Sequence, residues 1–190
     1  MNYIVLAELY VQMEKRSKRL EKTFLLSEFL KKCSHDDLKH IVYLVQGRVF
    51  AQADERKLGM SSQLLLKAIA QATGESKERI EDLWKEEGDL GLAAEKLFAK
   101  KKQKTLFGKT LTVTKVVENI TKLSTLEGDG TVQRKVALVA ELLSMASALE
   151  ARYVVRTVAE DLRAGVGDSA VRDALVWAFY PKVLGIFYPC

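Results

Sequence analysis

Residues 128–135, GDGTVQRK, join a glycine turn to a helix start and to basic side chains. Gly128 and Gly130 precede Thr131 at the predicted first helical position, and Arg134 and Lys135 follow within the next turn. The free N–H groups and the positive dipole end of a helix N-terminus attract phosphate. Glycine adopts positive φ and has no Cβ to hold a phosphate away. The segment therefore predicts a phosphate-holding turn.

A second copy of this pattern occurs at an offset of 37 residues. Gly165 and Gly167 precede another predicted helix, with Arg163 before them and Arg172 in the position that matches Lys135. We expect Arg163 to supply charge, both glycines to allow close approach, and Asp168 to cap the helix. Because a carboxylate at a helix start competes with phosphate for the same N–H groups, this turn should bind phosphate more weakly than the turn before Thr131.

A looser third copy places Gly59 before a serine-capped helix that carries Lys67 in its second turn. The alternative interpretation is that these glycines merely separate helices. The segment GDGTVQRK lacks the six-position spacing and the Gly-Lys-Ser/Thr ending of a P-loop, and no predicted strand precedes it. We therefore expect these turns to bind the phosphates of DNA or RNA, which fit an all-helical fold better than a bound nucleotide.

Helical periodicity between glycine or serine boundaries predicts an all-α fold of about ten helices. Ser34, Ser61 or Ser62, Ser76 and Asp89 are predicted N-caps, Ser147 with Glu150 forms a capping box, and Gly47, Gly74 and Gly88 are predicted helix ends. The remaining helices are expected at about 2–17, 20–32, 113–123, 131–146, 148–162 and 168–180, with Leu20 and Phe24 facing inward.

The lysine-rich segment 100–112 is predicted to link two packed helical halves, 1–99 and 113–180, of one domain. Residues 181–190, PKVLGIFYPC, form an apolar tail outside this domain. In the helix after Ser147, Arg152 and Arg156 flank an apolar stripe. They are predicted either to form a basic, phosphate-binding edge with Arg163 or to cover apolar surface and pair with Glu160 or Asp161.

The charge of the chain is concentrated in its C-terminal half. Residues 1–99 carry 16 basic and 16 acidic residues, whereas residues 100–190 carry 14 and 9, which supplies the net charge of +5. A basic half favours a polyanionic partner. No apolar run approaches the roughly 18 residues of a membrane span, and neither a signal peptide nor a disulfide framework is expected, so we expect an intracellular protein.

Several segments resemble the N-terminal DNA-binding domain of ATP-dependent DNA ligases, most strongly the archaeal replicative type, which is similar to the eukaryotic replicative enzyme. They are LLLKAIAQATG (64–74), EEGDLGLAAE (86–95), TLFGKTLTVTKVVENI (105–120), EGDGTVQRK (127–135) and EARYVVRTVAEDLRAGVGDSAVRDAL (150–175). The resemblance covers about residues 1–180 in the same order. It implies an all-helical domain that holds nicked duplex DNA from the minor-groove side during replication and repair.

The resemblance also implies how this domain works within a larger ligase. Phosphate contacts are carried over to the two glycine turns and their basic residues, with Lys67 as a third contact. The nick-sealing reaction needs ATP, magnesium and a lysine in a K-x-D-G motif, and that motif does not occur in these 190 residues. The implied partners are nicked duplex DNA and catalytic domains, with a sliding clamp as a further candidate. The implied location is the cytoplasm of an archaeal cell, or the nucleus if the source is eukaryotic.

Two other functions compete with DNA binding. A protein-interaction module of stacked helices would explain the abundant amphipathic helices and the offset of the glycine turns. A small enzyme would use Cys33 with His35 or His40, the only nucleophile and base that lie close together in the sequence. The same residues would be the candidates for a metal site, but their spacing does not favour metal binding.

Overall fold

The computed structural model describes residues 1–100 and 110–180, and every helix or strand element in these ranges is an α-helix. The all-α prediction is confirmed, and a single isolated antiparallel bridge joins Asn2 to Thr112. The helices are α1 (Tyr3–Glu14), α2 (Arg19–Leu30), α3 (His35–Leu44), α4 (Ser62–Thr73), α5 (Lys77–Glu87), α6 (Leu90–Lys100), α7 (Val113–Leu123), α8 (Thr131–Met145), α9 (Ala148–Val158) and α10 (Asp168–Phe179). None of the described helices is long and apolar enough to cross a membrane.

Side-chain caps fix most of the predicted helix starts. Ser34, Ser61 and Ser76 accept hydrogen bonds from first-turn N–H groups, and Ser147 with Glu150 forms the predicted capping box. The Asp89 carboxylate accepts from the N–H of Leu92 at 3.1 Å, as expected for the cap of α6. Gly74 and Gly88 end α4 and α5 with φ of 79° and 64°.

Several predicted helix ends lie too far along the chain. The helix predicted to reach residue 162 ends at Val158, because Glu160 adopts a φ of 56° and breaks the helical path. Arg163, with a φ of 59°, turns the chain again. Likewise α3 ends at Leu44, before Gly47. The sequence did not indicate the positive φ of Glu160 and Arg163, because non-glycine residues seldom adopt it.

The prediction that Leu20 and Phe24 face inward is wrong, since they are 63% and 45% exposed. The buried residues of α2 are instead Thr23, Leu26, Ser27 and Leu30, and this helix packs mainly against α10. The buried face is set by contacts with a helix far away in sequence, and the apolar pattern of α2 alone does not distinguish it.

The two sequence halves share one hydrophobic core. The most extensive helix packing joins them, with α6 against α9, α2 against α10 and α4 against α8. Most of the predicted linker, residues 101–109, and the tail, residues 181–190, lie outside the described residues. The described helices of one half thus pack directly against those of the other half.

A buried cluster of ion pairs lies where α1, α6 and α9 meet. The guanidinium of Arg156, whose side chain is 5% exposed, donates to both Glu14 and Asp89, and the Arg156 Nη2–Asp89 Oδ2 distance is 2.7 Å. Gly91 permits this packing, because a Cβ there would lie 2.7 Å from Arg156 Cγ and 2.8 Å from the backbone oxygen of Arg152. The close approach of α6 to α9 at Gly91 and the pairing of the buried Arg156 charge with Asp89 therefore depend on each other.

Burial alone would raise the pKa of the Asp89 carboxyl. Hydrogen bonds from Arg156 and from the Leu92 N–H, together with the charges of Arg156 and Arg163, outweigh burial and hold that pKa below its ordinary value of 3.8. Asp89 is therefore ionised in the folded protein and stabilises it as an anion.

Replacing Arg156 by Met should lower the free energy of unfolding by about 3–5 kcal/mol, because the carboxylates of Glu14 and Asp89 would stay buried without their partner. Urea denaturation followed by circular dichroism measures the change. The Arg172→Met variant is the control, since that side chain is 76% exposed, and it should change stability by less than about 0.5 kcal/mol. Equal effects of the two substitutions would contradict the structural role of the cluster.

The depressed pKa of Asp89 also predicts a pH dependence. A carboxyl with a lower pKa in the folded state contributes stability above its unfolded pKa, and this contribution is lost as the pH falls through about 4 towards the folded value. Urea midpoints between pH 7 and pH 3 should therefore fall more steeply for the wild type than for Arg156→Met. Parallel curves would show that Arg156 does not set the ionisation of Asp89.

Candidate functional site

Three turns share a left-handed glycine at the same distance from a helix start. We name them turn 1 (58–62), turn 2 (127–131) and turn 3 (163–168). Each contains a glycine with positive φ, namely Gly59 at 62°, Gly128 at 80° and Gly165 at 64°. Each of these glycines stands three residues before the first residue of a helix, α4, α8 or α10. The looser third copy expected from the sequence matches the other two in this spacing, although Ser61 caps the start of α4.

Each turn also holds a basic side chain on the carbonyl oxygen just before its glycine. Lys135 Nζ donates to Leu58 O at 2.7 Å in turn 1. In turn 2, Arg134 Nη2 donates to Glu127 O at 2.8 Å, and in turn 3, Lys22 Nζ donates to Ala164 O at 3.0 Å. The pattern common to the three turns is therefore a cation on the turn carbonyl, a left-handed glycine and a helix N-terminus.

Two features join the three turns into one surface, which we call the three-turn surface. The neighbouring residues Arg134 and Lys135 of α8 reach turn 2 and turn 1 respectively. Ser62, the first residue of α4, lines the same cavity as Arg163 of turn 3. Positions far apart in sequence are brought together in this way.

The N-caps of α8 and α10 are glycines, Gly130 and Gly167, and among the described residues no side chain caps either helix start. Thr131 donates its hydroxyl to the carbonyl of Gly128 and so stays within turn 2. First-turn N–H groups without a capping oxygen remain able to donate to an anion. Phosphate binding at these two helix starts stays a prediction.

Turn 3 differs from its predicted form in two respects. Gly167 has φ of −88°, which any residue can adopt, and a Cβ there would meet no atom of the described residues within 4 Å. Neither strain nor close approach within this part of the protein therefore requires the glycine. Asp168 is the first residue of α10, and its carboxylate makes no cap hydrogen bond. It accepts instead from Arg48 Nη2 at 3.0 Å. The competition between this carboxylate and phosphate is therefore reduced by Arg48.

Arg152 and Arg156 of α9 have a different environment from Arg163, which follows that helix. Arg152 pairs with Glu14 and Glu95, and its side chain and that of Arg156 are largely buried. Because their charges are already compensated inside the protein, we leave both out of the proposed phosphate contacts. Arg163 is half-exposed. Its Nε lies 2.8 Å from Oδ2 of Asp161, which is the partner expected in the alternative interpretation, and its Nη1 lies 3.2 Å from Oδ2 of Asp89.

The other predicted contacts are exposed. Arg172 extends from α10 with its Nε 3.8 Å from Asp173 Oδ1, and within residues 1–100 and 110–180 it makes no contact equivalent to that of Lys135. Lys67 is exposed on α4, one turn beyond the start of that helix. These two side chains adjoin the helices of the three-turn surface without being held on turn carbonyls.

Lys22 and Arg48 belong to the site but were not predicted from the sequence. Lys22 lies within α2, and Arg48 lies in the loop after α3. Both contact turn 3 across more than a hundred residues of sequence. No local motif marks such contacts, because they arise only from the packing of α2 and the loop against turn 3.

Cys33 does not have the environment of a nucleophile. Its thiol donates to Phe29 O at 3.3 Å, and burial, followed by the charge of Asp37, raises its pKa to about 11. Reactive cysteines have lowered pKa values. In residues 1–100 and 110–180, no group of three or more His, Cys, Asp or Glu side chains could hold a metal ion.

Comparison with known proteins identifies relatives of the whole helical region. Residues 2–176 match the family described as DNA ligase N terminus. The chain is 44% identical to a DNA ligase of Methanothermobacter thermautotrophicus over 177 residues, which are 93% of this chain and 32% of that protein. It is 40% identical over 174 residues to a DNA ligase of Archaeoglobus fulgidus, covering 91% and 31%. The chain thus spans about a third of the length of these relatives.

Gly130 and Gly167 should respond differently to alanine. Gly130→Ala places a Cβ on a residue with φ of 72° and should cost about 1–2 kcal/mol of unfolding free energy, whereas Gly167→Ala, in an extended conformation with open space around it, should cost about 0.5 kcal/mol or less. Urea denaturation of both variants measures the difference. A larger loss for Gly167→Ala would contradict the turn geometries described above.

Proposed function

The chain belongs to the DNA ligase N-terminal family, and we propose that it binds nicked duplex DNA through backbone phosphates, from the minor-groove side and without sequence preference. The observation that carries this proposal is the repeated geometry of turns 1, 2 and 3, which lie on one surface. Family membership together with this geometry leads us to prefer duplex binding over a helical protein-interaction module.

The chemistry of the three-turn surface suits phosphate better than bases. Besides the carboxylates of Glu127, Asp129 and Asp168, its groups are helix N-termini and basic side chains, and among the described residues no side chain caps the α8 or α10 start. Such groups fix a protein on the duplex without reading the sequence. We propose Lys135, Arg134 and Arg163 as charged contacts, with exposed Arg172 and Lys67 at the margin.

The approach from the minor groove follows from the family resemblance. A nick lowers the cost of bending or widening the duplex, so a surface that grips phosphates on both sides of the groove gains selectivity from deformation of the DNA. This indirect preference needs no contact to a base edge. It suits a protein that must act on nicks in any sequence.

The remaining steps of nick sealing are proposed for the part of the ligase beyond this chain. There the catalytic domains would use ATP and magnesium. Joining those domains would let the ligase surround the duplex, and a sliding clamp is a further candidate partner. This chain would contribute DNA affinity.

Duplex affinity should depend steeply on salt. If the three turns and their flanking basic residues neutralise about six phosphates, the logarithm of the association constant should fall with the logarithm of salt concentration at a slope of roughly −5. Fluorescence anisotropy with a labelled nicked duplex between about 0.05 and 0.3 M salt measures this slope. A slope near zero would remove the proposal. Duplexes of unrelated sequence should give equal slopes and affinities.

The Arg48–Asp168 pair provides a test confined to turn 3. Arg48→Gln should weaken duplex binding about fivefold, because the unpaired Asp168 carboxylate would repel phosphate at the start of α10. The double variant Arg48→Gln/Asp168→Asn should recover most of that loss in the same anisotropy assay.

The matched control uses the pair of Arg19 and Asp173, which lies farther along α10. Arg19→Gln, alone or combined with Asp173→Asn, should not show the same loss and recovery. Failure of Asp168→Asn to restore binding in the Arg48→Gln background would contradict the proposed masking of the carboxylate.

A further inference from the structure

Lys22 is a half-buried lysine whose charge has no anionic partner in the described part of the chain. Its Nζ donates to Ala164 O at 3.0 Å and to Gly165 O at 3.2 Å, which are neutral acceptors. Within residues 1–100 and 110–180, no carboxylate oxygen lies within 4.0 Å of this ammonium. Since a partly desolvated charge without a counter-charge is unfavourable, Lys22 would gain from an anion at this position.

The position of Lys22 on turn 3 repeats that of Lys135 on turn 1. Both ammonium groups are half-buried, and both donate to the carbonyl just before a left-handed glycine. A Cβ on Gly165 would lie 2.5 Å from Lys22 Nζ, and a Cβ on Gly59 would lie 2.5 Å from Lys135 Nζ. Each glycine thus leaves the space that its lysine ammonium occupies.

An ammonium group has three N–H donors. The two carbonyls of turn 3 use two donors of Lys22 and fix the position of its nitrogen, so one donor is left for another acceptor. The following helix, α10, starts three residues after Gly165 without a side-chain cap. A phosphate oxygen on this donor would contact the Lys22 ammonium in the turn that leads into α10.

We propose that Lys22 is a phosphate-binding residue of the three-turn surface, contributed to turn 3 by α2 as Lys135 is contributed to turn 1 by α8. The inference rests on the proposed binding of duplex DNA and adds a contact in the half of the chain that carries no net charge. The competing role for Lys22 is purely structural, in which it only joins α2 to turn 3.

The salt dependence of duplex binding separates these two roles. Lys22→Gln should make the slope less steep by about 0.9 and lower affinity roughly eightfold at about 0.1 M salt, which is the counterion-release effect of one phosphate contact. Lys22→Arg should keep the wild-type slope. Lys32→Gln is the matched control, because Lys32 is exposed just beyond the end of α2, and its slope should also stay at the wild-type value.

A wild-type slope for Lys22→Gln, with or without a lower melting temperature, would overturn the inference while leaving the proposed function in place. Absence of salt-dependent duplex binding by the wild-type chain would overturn both. If Lys22→Gln does not fold, chemical modification of lysine amines in the wild-type chain, read out by mass spectrometry, distinguishes phosphate binding from a purely structural role. Added nicked duplex should then protect Lys22 and leave Lys32 reactive, and equal modification of Lys22 with and without duplex would overturn the inference.

Discussion

The buried pairing of Arg156 with Glu14 and Asp89 is the constraint on which the rest of the structure depends. It joins α1, the start of α6 and α9 at one point, and Gly91 lets α6 come close enough for the pairing to form. A buried guanidinium is tolerated only when carboxylates compensate it. Because Asp89 also lies 3.2 Å from Arg163, the same cluster reaches turn 3. The core and the exposed arginine are thus connected through one carboxylate.

The three-turn surface is assembled by packing between the two sequence halves. A helix of the second half, α8, brings Lys135 to turn 1 of the first half, and a helix of the first half, α2, brings Lys22 to turn 3 of the second. The result is a cation on a carbonyl, a left-handed glycine and a helix start, repeated three times. Contacts across the halves therefore both stabilise the fold and position the charges.

The sequence predicted the parts of the structure that local chemistry decides. Serine caps, the Ser147–Glu150 capping box and the glycine ends of α4 and α5 depend on neighbouring residues, and they are confirmed. The inward face of α2 was predicted wrongly, and Lys22 and Arg48 were missed, because distant helices determine them. Gly167 shows the limit of motif reasoning, since it repeats the spacing of Gly130 without its positive φ.

The most direct test of phosphate binding is a map of the phosphates themselves on a nicked duplex. Single phosphates would be replaced in turn by neutral methylphosphonates, and the affinity of the chain measured for each substituted duplex. We expect about six sensitive positions, grouped on both strands across one minor groove near the nick, and the same positions when the base sequence is changed. Sensitivity that follows particular bases, or no sensitive phosphate at all, would contradict the account.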